Sequence, residues 1–367
     1  MGENHPIKTD SGSTPVSLSC QVSIYRRLTG HHSIKKDIAP TEKYRHMRKK
    51  VSIALGTFDG LHIGHRVVLD AALASAHGAE SVAVKGAEST AAHRSSFAEM
   101  HCEETESAVG GGAGGGSVLP VAVTFRVPPS PTKSEGLILS SSQKADKLRE
   151  SGFAVKILDF GEVRNMSAEE FLDRLFSDND VIAVSCGFNY RFGKGAKGDT
   201  DLLKEYCAEK GAACNVCEPV MFGGSPVSST RIRKALTEGR IEEANGMLGY
   251  DYGLSAEVIH GDARGRTIGF PTINQIPEDG LVVPKYGVYR SSVTVDGKEY
   301  PAMTNVGIRP TFRLDRPVFE TNIIDFDKDV YGMRLTVSLK KYIREEKEFA
   351  SLDELKAAIG EDVDKCR

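Results

Sequence analysis

No run of eighteen apolar residues occurs in the chain, and its first fifty residues hold no apolar signal core. A bilayer-spanning helix needs about twenty such residues, so neither a membrane span nor a secretory peptide is expected, and the cytoplasm is the expected location. An excess of one charge is also lacking. With 47 basic and 50 acidic residues the formal charge is −3, which calls for no nucleic-acid or membrane partner. Seven scattered cysteines in 367 residues are a poor disulfide framework, so free thiols are expected. Cys214 and Cys217 form a CxxC, but no second pair or suitable histidine follows at zinc-finger spacing. It reads as a chance placement near a strand.

What the chain does have is 40% apolar content over 367 residues, enough for a sizeable core and two or three domains. Residues 1–48 are polar, with basic residues crowded from Lys43 to Lys50. They read as a flexible extension with room for a short ordered piece around Val22 to Leu28. From Val51 onward, apolar runs and helical spacings alternate. Strands are expected at Val51–Leu55, Ser81–Val84, Val118–Phe125, Val155–Phe160, Val181–Cys186 and Cys214–Val220. Helices are expected around Val67–Leu73 and over Ser141–Ser151, Ser167–Phe176, Asp199–Lys210, from Val227, and over Glu238–Leu248. This alternation predicts an α/β fold with a parallel sheet covered on both faces. The stretch of about 86–117, ending in a glycine-rich run from Gly110 to Gly116, reads as a disordered insertion. After Gly249 the pattern changes to period two, in Leu254–His260, Gly287–Val295, Tyr300–Val306, Phe319–Phe326 and Arg334–Leu339, with a turn at Asp296-Gly297. Such a series predicts an antiparallel β-barrel, closed by an amphipathic helix over Ser351–Lys365. Three regions follow: 1–48, 49–249 and 250–367.

Four segments carry chemistry. The first, GTFDGLHIGH over Gly56 to His65, lies between a strand and a helix start. Gly56, Gly60 and Gly64 permit close backbone approach, the free amides of a helix start favour an anion, and His62 and His65 fall on one face, which favours phosphate donors over a tight turn whose histidines merely cap and pack. The second, Cys186 to Gly195, joins glycines, cations and aromatic rings to Asn189, a mixture suited to a phosphate and a planar ring or equally to a basic surface loop. In the third, Val227 to Arg233, hydroxyls precede two arginines at a helix start, where caps are the usual role. The fourth, Gly261 to Asn274, is a glycine- and arginine-rich loop ending in Thr272 and Asn274. Those two neutral oxygens face one way in an extended segment and suit Mg2+ that keeps its waters, although so short a signal also fits a plain structural loop.

The HIGH turn resembles the HxGH motif of nucleotidylyltransferases, and the chain from about Val51 onward resembles the bacterial bifunctional riboflavin kinase/FAD synthetase family. The resemblance implies a Rossmann-like nucleotidylyltransferase domain over 49–249, in which FMN is adenylylated. Its nucleotide would be bound by Gly56, Phe58, Asp59, Gly60, Gly64, Asn189, Ser229, Thr230 and Arg233, with His62 and His65 catalytic. It implies a riboflavin kinase domain over 250–367, with Gly261, Arg266 and Gly269 in a loop over the ATP phosphates, Thr272 and Asn274 on Mg2+, and Glu320 as general base. The match extends to Asn305–Phe312, Asp329–Gly332 and Arg344–Phe349. ATP, riboflavin and FMN are the implied small-molecule substrates. Two departures stand out: Thr124-Phe125-Arg126-Val127-Pro128-Pro129 lacks the histidine of a TFxPHP segment, and Asn322 occupies the second position of an ExH pattern. Two other readings stay open, a nucleotidylyltransferase for another phosphorylated substrate and a non-catalytic flavin or nucleotide binder.

Overall fold

The computed structural model describes residues 49–78, 117–127, 136–261, 265, 268–308 and 316–367. The N-terminal extension, the Ser81–Val84 strand and most of the expected insertion lie outside these residues, as do Pro128, Pro129, Arg266 and 309–312.

A parallel sheet runs in the order β3-β2-β1-β4-β5, built from β1 (Lys50–Leu55), β2 (Leu119–Phe125), β3 (Ala154–Leu158), β4 (Asp180–Gly187) and β5 (Ala213–Cys217). Period two along β1 decides which helices it meets. Val51, Ile53 and Leu55 pack with Phe171, Leu172 and Leu175 of α4 (Ala168–Ser177) and Leu203 of α5 (Thr200–Lys210). On the opposite face, Ala54 packs with Val68, Leu69 and Ala72 of α1 (Ile63–Ala76) and Leu148 of α2 (Ser141–Glu150). Small residues on that face let α1 come close enough for the Ser52 hydroxyl to donate to the Ala72 carbonyl at 2.7 Å. Helices thus cover both faces, as the alternation predicts. Phe160 belongs to a short helix, α3 (Phe160–Val163), rather than to β3, because Asp159 caps the Gly161 amide. Strand β5 likewise stops at Cys217, before Val220.

A hairpin of β6 (Met221–Phe222) and β7 (Ser225–Pro226), unforeseen in the sequence, leads into α6 (Ser229–Thr237). Gly239, in the left-handed region at φ 78°, then separates α6 from α7 (Ile241–Leu248).

The second sheet is antiparallel in the order β8-β13-β10-β11-β12-β9. Its strands are β8 (Gly253–Glu257), β9 (Ile273–Gln275), β10 (Gly287–Val295), β11 (Lys298–Ile308), β12 (Pro317–Ile323) and β13 (Arg334–Arg344). An antiparallel bridge between Ile259 and Asn274 brings its two edges together into a nearly closed barrel. Asp296 and Gly297, both at positive φ, form the two-residue turn between β10 and β11, the conformation whose twist suits a hairpin. The closing helix is α8 (Leu352–Cys366). Five described cysteines, Cys186, Cys207, Cys214, Cys217 and Cys366, are free thiols.

The barrel core does not stop at the barrel. Ile232 and Leu236 of α6 and Ile241, Met247 and Leu248 of α7 belong to the same apolar cluster as Tyr289, Val306, Phe319 and Val337. Asn245 pins this junction, donating to the Leu339 carbonyl at 2.9 Å and to Asp251 at 3.0 Å while accepting from the Tyr252 amide at 2.8 Å. Asn245→Ala would strand a buried amide and a buried carbonyl, and is expected to destabilise the fold by roughly 2–4 kcal/mol. Urea unfolding followed by circular dichroism checks this, and an unchanged midpoint would contradict it.

Candidate active sites

Strand β2 lies on one side of β1 and β4 on the other, so the chain changes direction across the sheet between β1 and β4. Ligands of such sheets sit outside the carboxyl ends of strands at that point. A cleft of about 370 Å³ opens there. Its walls come chiefly from three distant segments, Gly56 to His65, Gly187 to Arg191, and Ser228 to Arg233, joined by Cys217 to Val220 after β5. Gly56, Phe58, Asp59, His62, Gly64, His65, Asn189, Ser229, Thr230 and Arg233 all reach it. Gly60 is not among the lining residues. It is at φ +82°, with Ile138 3.0 Å from where a Cβ would stand, so that position needs glycine for turn shape and packing.

The turn is held under tension. Phe58 and Leu61 adopt φ 49° and 42°, a region costing of order 1–3 kcal/mol for a residue with a side chain. Phe58 is buried edge-on to His65, with centroids 5.4 Å apart. His62 caps α1, its Nδ1 accepting from the His65 amide at 3.2 Å. That bond fixes Nε2 as the protonated, donating nitrogen of His62. The two imidazoles stack at 3.6 Å between centroids and 12° between planes. Burial pushes His62 down to about 4. His65 also lies well below its ordinary value, through burial first and then the charges of His62 and Lys144. At neutral pH both rings are therefore uncharged, donors rather than cations.

The hydroxyls divide their roles. Ser228 is the cap of α6, accepting from the Arg231 amide at 3.3 Å. Ser229 donates to the Asp59 carbonyl at 2.9 Å, and Thr230 is exposed at the cleft wall. Arg233 is 5% exposed and pairs with Asp59, itself 2% exposed. Its Nε donates to the Gly136 carbonyl at 2.7 Å, and the other Asp59 oxygen accepts from the Ile138 amide at 3.0 Å. Asp59 and Arg233 therefore spend these groups on each other and on backbone, shaping the cleft. Phe125 and the exposed Phe188 also line it. Lys144, 2% exposed under the turn, donates to the Thr57 and Phe125 carbonyls at 3.1 and 2.6 Å. Nothing in the local pattern singled it out. Its position beside the buried Ala145 on an otherwise polar helix was the available signal.

The second site is on the outer face of the barrel. Phe319 and Ile323 point into the core, so Glu320 and Asn322, one residue out of phase, point outward. Glu320 stands opposite Asn274 on one side and Asn305 on the other. Both amides have a buried Oδ1 with no hydrogen-bond partner, and Asn274 is 5% exposed. Unpaired buried carbonyl oxygens are costly and suit a hard cation or a donating hydroxyl. The glycine loop lies against this pair: a Cβ on Gly261 would meet Asn274 at 2.4 Å, and one on Gly265 would meet Thr272 Oγ1 at 3.4 Å. Gly269, at φ +88°, has open space around it. Arg266 is outside the described residues. Asn322 donates to the Pro271 carbonyl at 2.7 Å and so holds the segment that carries Thr272. Asn305 Nδ2 donates to Glu346 at 2.9 Å. Among the described residues no group of three or more His, Cys, Asp or Glu side chains forms a metal cluster.

Two outcomes are expected from the first cleft. Unfolded His62 binds a proton near pH 6.5 and folded His62 only near about 4, so its contribution is complete above pH 6.5 and lost as pH falls toward 4. The loss is roughly 3 kcal/mol. Unfolding midpoints between pH 7 and 4.5 check it, and His62→Asn should flatten that slope. Asp59→Ala leaves Arg233 buried and unpaired, and is expected to cost about 3–5 kcal/mol in the same measurement.

A riboflavin kinase family profile matches residues 248–367, and an FAD synthetase profile matches 115–231, downstream of the HIGH turn. The bifunctional riboflavin kinase/FMN adenylyltransferase of Bacillus subtilis is 32% identical over 342 residues, covering 90% of this chain and 93% of that protein. Its counterpart in Escherichia coli K12 is 40% identical over 199 residues, 54% of this chain and 63% of that one. A crystal structure described as a macrolide-efflux protein from Streptococcus pneumoniae superposes with a TM-score of 0.69 at 28% identity, covering 87% of this chain and 94% of the other. Among the described residues of the present chain no helix is long and apolar enough to cross a membrane. With the parallel sheet, the barrel and an alignment spanning nine-tenths of both sequences in agreement, the chain belongs to the bifunctional riboflavin kinase/FMN adenylyltransferase family.

Proposed function

We propose that the protein phosphorylates riboflavin to FMN with ATP and then adenylylates FMN to FAD with release of pyrophosphate, the second step in region 49–249 and the first in region 250–367. The observation that carries this reading is the convergence of three segments, Gly56–His65, Gly187–Arg191 and Ser228–Arg233, on one cleft at the crossover of a parallel sheet.

In the barrel, Glu320 accepts the proton of the riboflavin 5'-hydroxyl as that oxygen bonds to the γ-phosphorus and ADP leaves with the electron pair. The unpaired, buried Asn274 Oδ1 and the neighbouring Thr272 fit a magnesium ion. Bound there, Mg2+ would neutralise charge on the ATP phosphates. Gly261 and Gly265, close against Asn274 and Thr272, leave the phosphates a glycine-lined edge to approach. Asn322 orients Thr272 from behind.

In the cleft, an FMN phosphate oxygen attacks the α-phosphorus of ATP, and the bond to the β-bridging oxygen breaks. The monoester is already anionic at neutral pH, so the protein needs no base here. Its task is to stabilise crowded negative charge. His62 offers Nε2–H, and Thr230 with the free amides at the start of α1 supplies further donors. Asn189 and Phe188 flank the space left for the flavin or adenine ring. Arg233 and Asp59 fix the turn from beneath. The location that goes with these substrates is the cytoplasm.

Purified protein with riboflavin, ATP and Mg2+ should yield FMN and then FAD, separated by chromatography. Neither product appearing would overturn the reading. Glu320→Ala is expected to lower FMN formation by about a hundredfold or more while FAD still forms from supplied FMN. His62→Ala combined with His65→Ala should do the opposite, with a loss on the order of a hundredfold in FAD formation.

A further inference from the structure

Among the described residues Lys144 is a buried cation beside the adenylyl-transfer cleft to which the proposed reaction gives no role. It extends from α2 beneath the β1–α1 turn and holds two carbonyls, Thr57 at 3.1 Å and Phe125 at 2.6 Å, each belonging to a residue that lines the cleft. Thr57 O already accepts from the Thr124 hydroxyl at 2.8 Å, so the tie between β1 and β2 does not depend on Lys144 alone. A neutral donor would serve that tie as well. The charge is what packing does not account for, because burying an ammonium costs several kcal/mol unless something compensates it.

The charged and titratable groups around it are Asp59 of the turn, His65 and the stacked His62 of α1, and Arg233 of α6. Asp59 attracts the ammonium, and Arg233 in turn occupies the Asp59 carboxylate. Lys144 opposes protonation of His65. Protonating the imidazole pair would break the bond in which His62 Nδ1 accepts the His65 amide, since that nitrogen would then carry a hydrogen.

Resting on the adenylyltransferase reading, we propose that Lys144 is a positioning residue of this cleft: its buried ammonium fixes the Thr57 and Phe125 carbonyls and sets a positive charge behind the imidazole pair, opposing protonation of His65 and so preserving the capping geometry of His62, while favouring the nucleotide's phosphates. Lys144 touches no substrate. It acts through the turn and through His65.

Burial pulls Lys144 down to about 8, with Asp59 acting against the shift, so the free enzyme should lose this charge within an accessible range. The test uses the full chain, with FMN, ATP and Mg2+ for FAD formation and riboflavin phosphorylation by the same preparation as the check on folding. Wild-type kcat/KM for FAD formation is expected to fall on an alkaline limb near pH 8, and the kinase step should not share it. Lys144→Met should remove the limb, lower FAD formation at pH 7 on the order of tenfold to a hundredfold, and spare the kinase. In the ligand-free protein, NMR titration of the imidazoles should move to higher pH in Lys144→Met, a readout independent of turnover. Thr124→Val, which removes the neutral donor to the same carbonyl, should keep the limb. Full FAD formation by Lys144→Met, or an imidazole titration identical to wild type, would overturn the proposal. Should Lys144→Met not fold, absence of the limb in wild type, or its loss in Thr124→Val, overturns it equally. Wild-type protein that makes no FAD refutes the adenylyltransferase reading, and the imidazole titration then decides on Lys144 by itself.

Discussion

Arg233 and Asp59 hold each other in a place almost closed to water, and the arrangement of the rest can be traced outward from them. A buried pair of this kind is tolerated only when every remaining donor and acceptor is matched. Here the matching partners are the carbonyl of Gly136 and the amide of Ile138. The residue between them, Leu137, pairs with Leu281 of the barrel, its amide bonding Gly280 and its carbonyl accepting from Val282. One short stretch therefore joins the HIGH turn, α6 and the barrel. The turn's unusual backbone at Phe58 and Leu61 persists because this framework leaves it no freedom to relax.

The barrel site depends on register in the same way. Asn274, Glu320 and Asn305 are neighbours because β9, β12 and β11 pair as they do. Side-chain period two means that a slip of β12 by one residue would turn Glu320 inward, away from the two amides, and bring Phe319 out. The core, through Phe319, Val306 and Ile273, thereby enforces the polar row on the outer surface.

Periodicity made both sheets, the covered faces and the closing helix legible, because those features follow from which side of an element is apolar. Boundaries were less legible. Phe160 continues an apolar run, yet an Asp159 cap turns it into a helix. Among the site residues, the three cleft segments could be found from glycine, histidine and hydroxyl spacing. Their division of labour could not. Arg233 finds Asp59 across 174 residues, a pairing no local pattern encodes, so an arginine that suits phosphate by type also braces the turn. Lys144 is silent for the same reason, since it acquires its significance from a turn far away in the chain.

The shared core of α6, α7 and the barrel bears on how the two halves could ever be separated. The helix that presents Ser229 and Thr230 to the cleft turns Ile232 and Leu236 into the apolar cluster it shares with the barrel core. A cut between residues 249 and 250 would leave that greasy flank uncovered on one fragment and unroof Tyr289 and Val337 on the other. Either fragment would have to cover that surface anew, and exchanging one half for a foreign counterpart would require the seam to be rebuilt along with it.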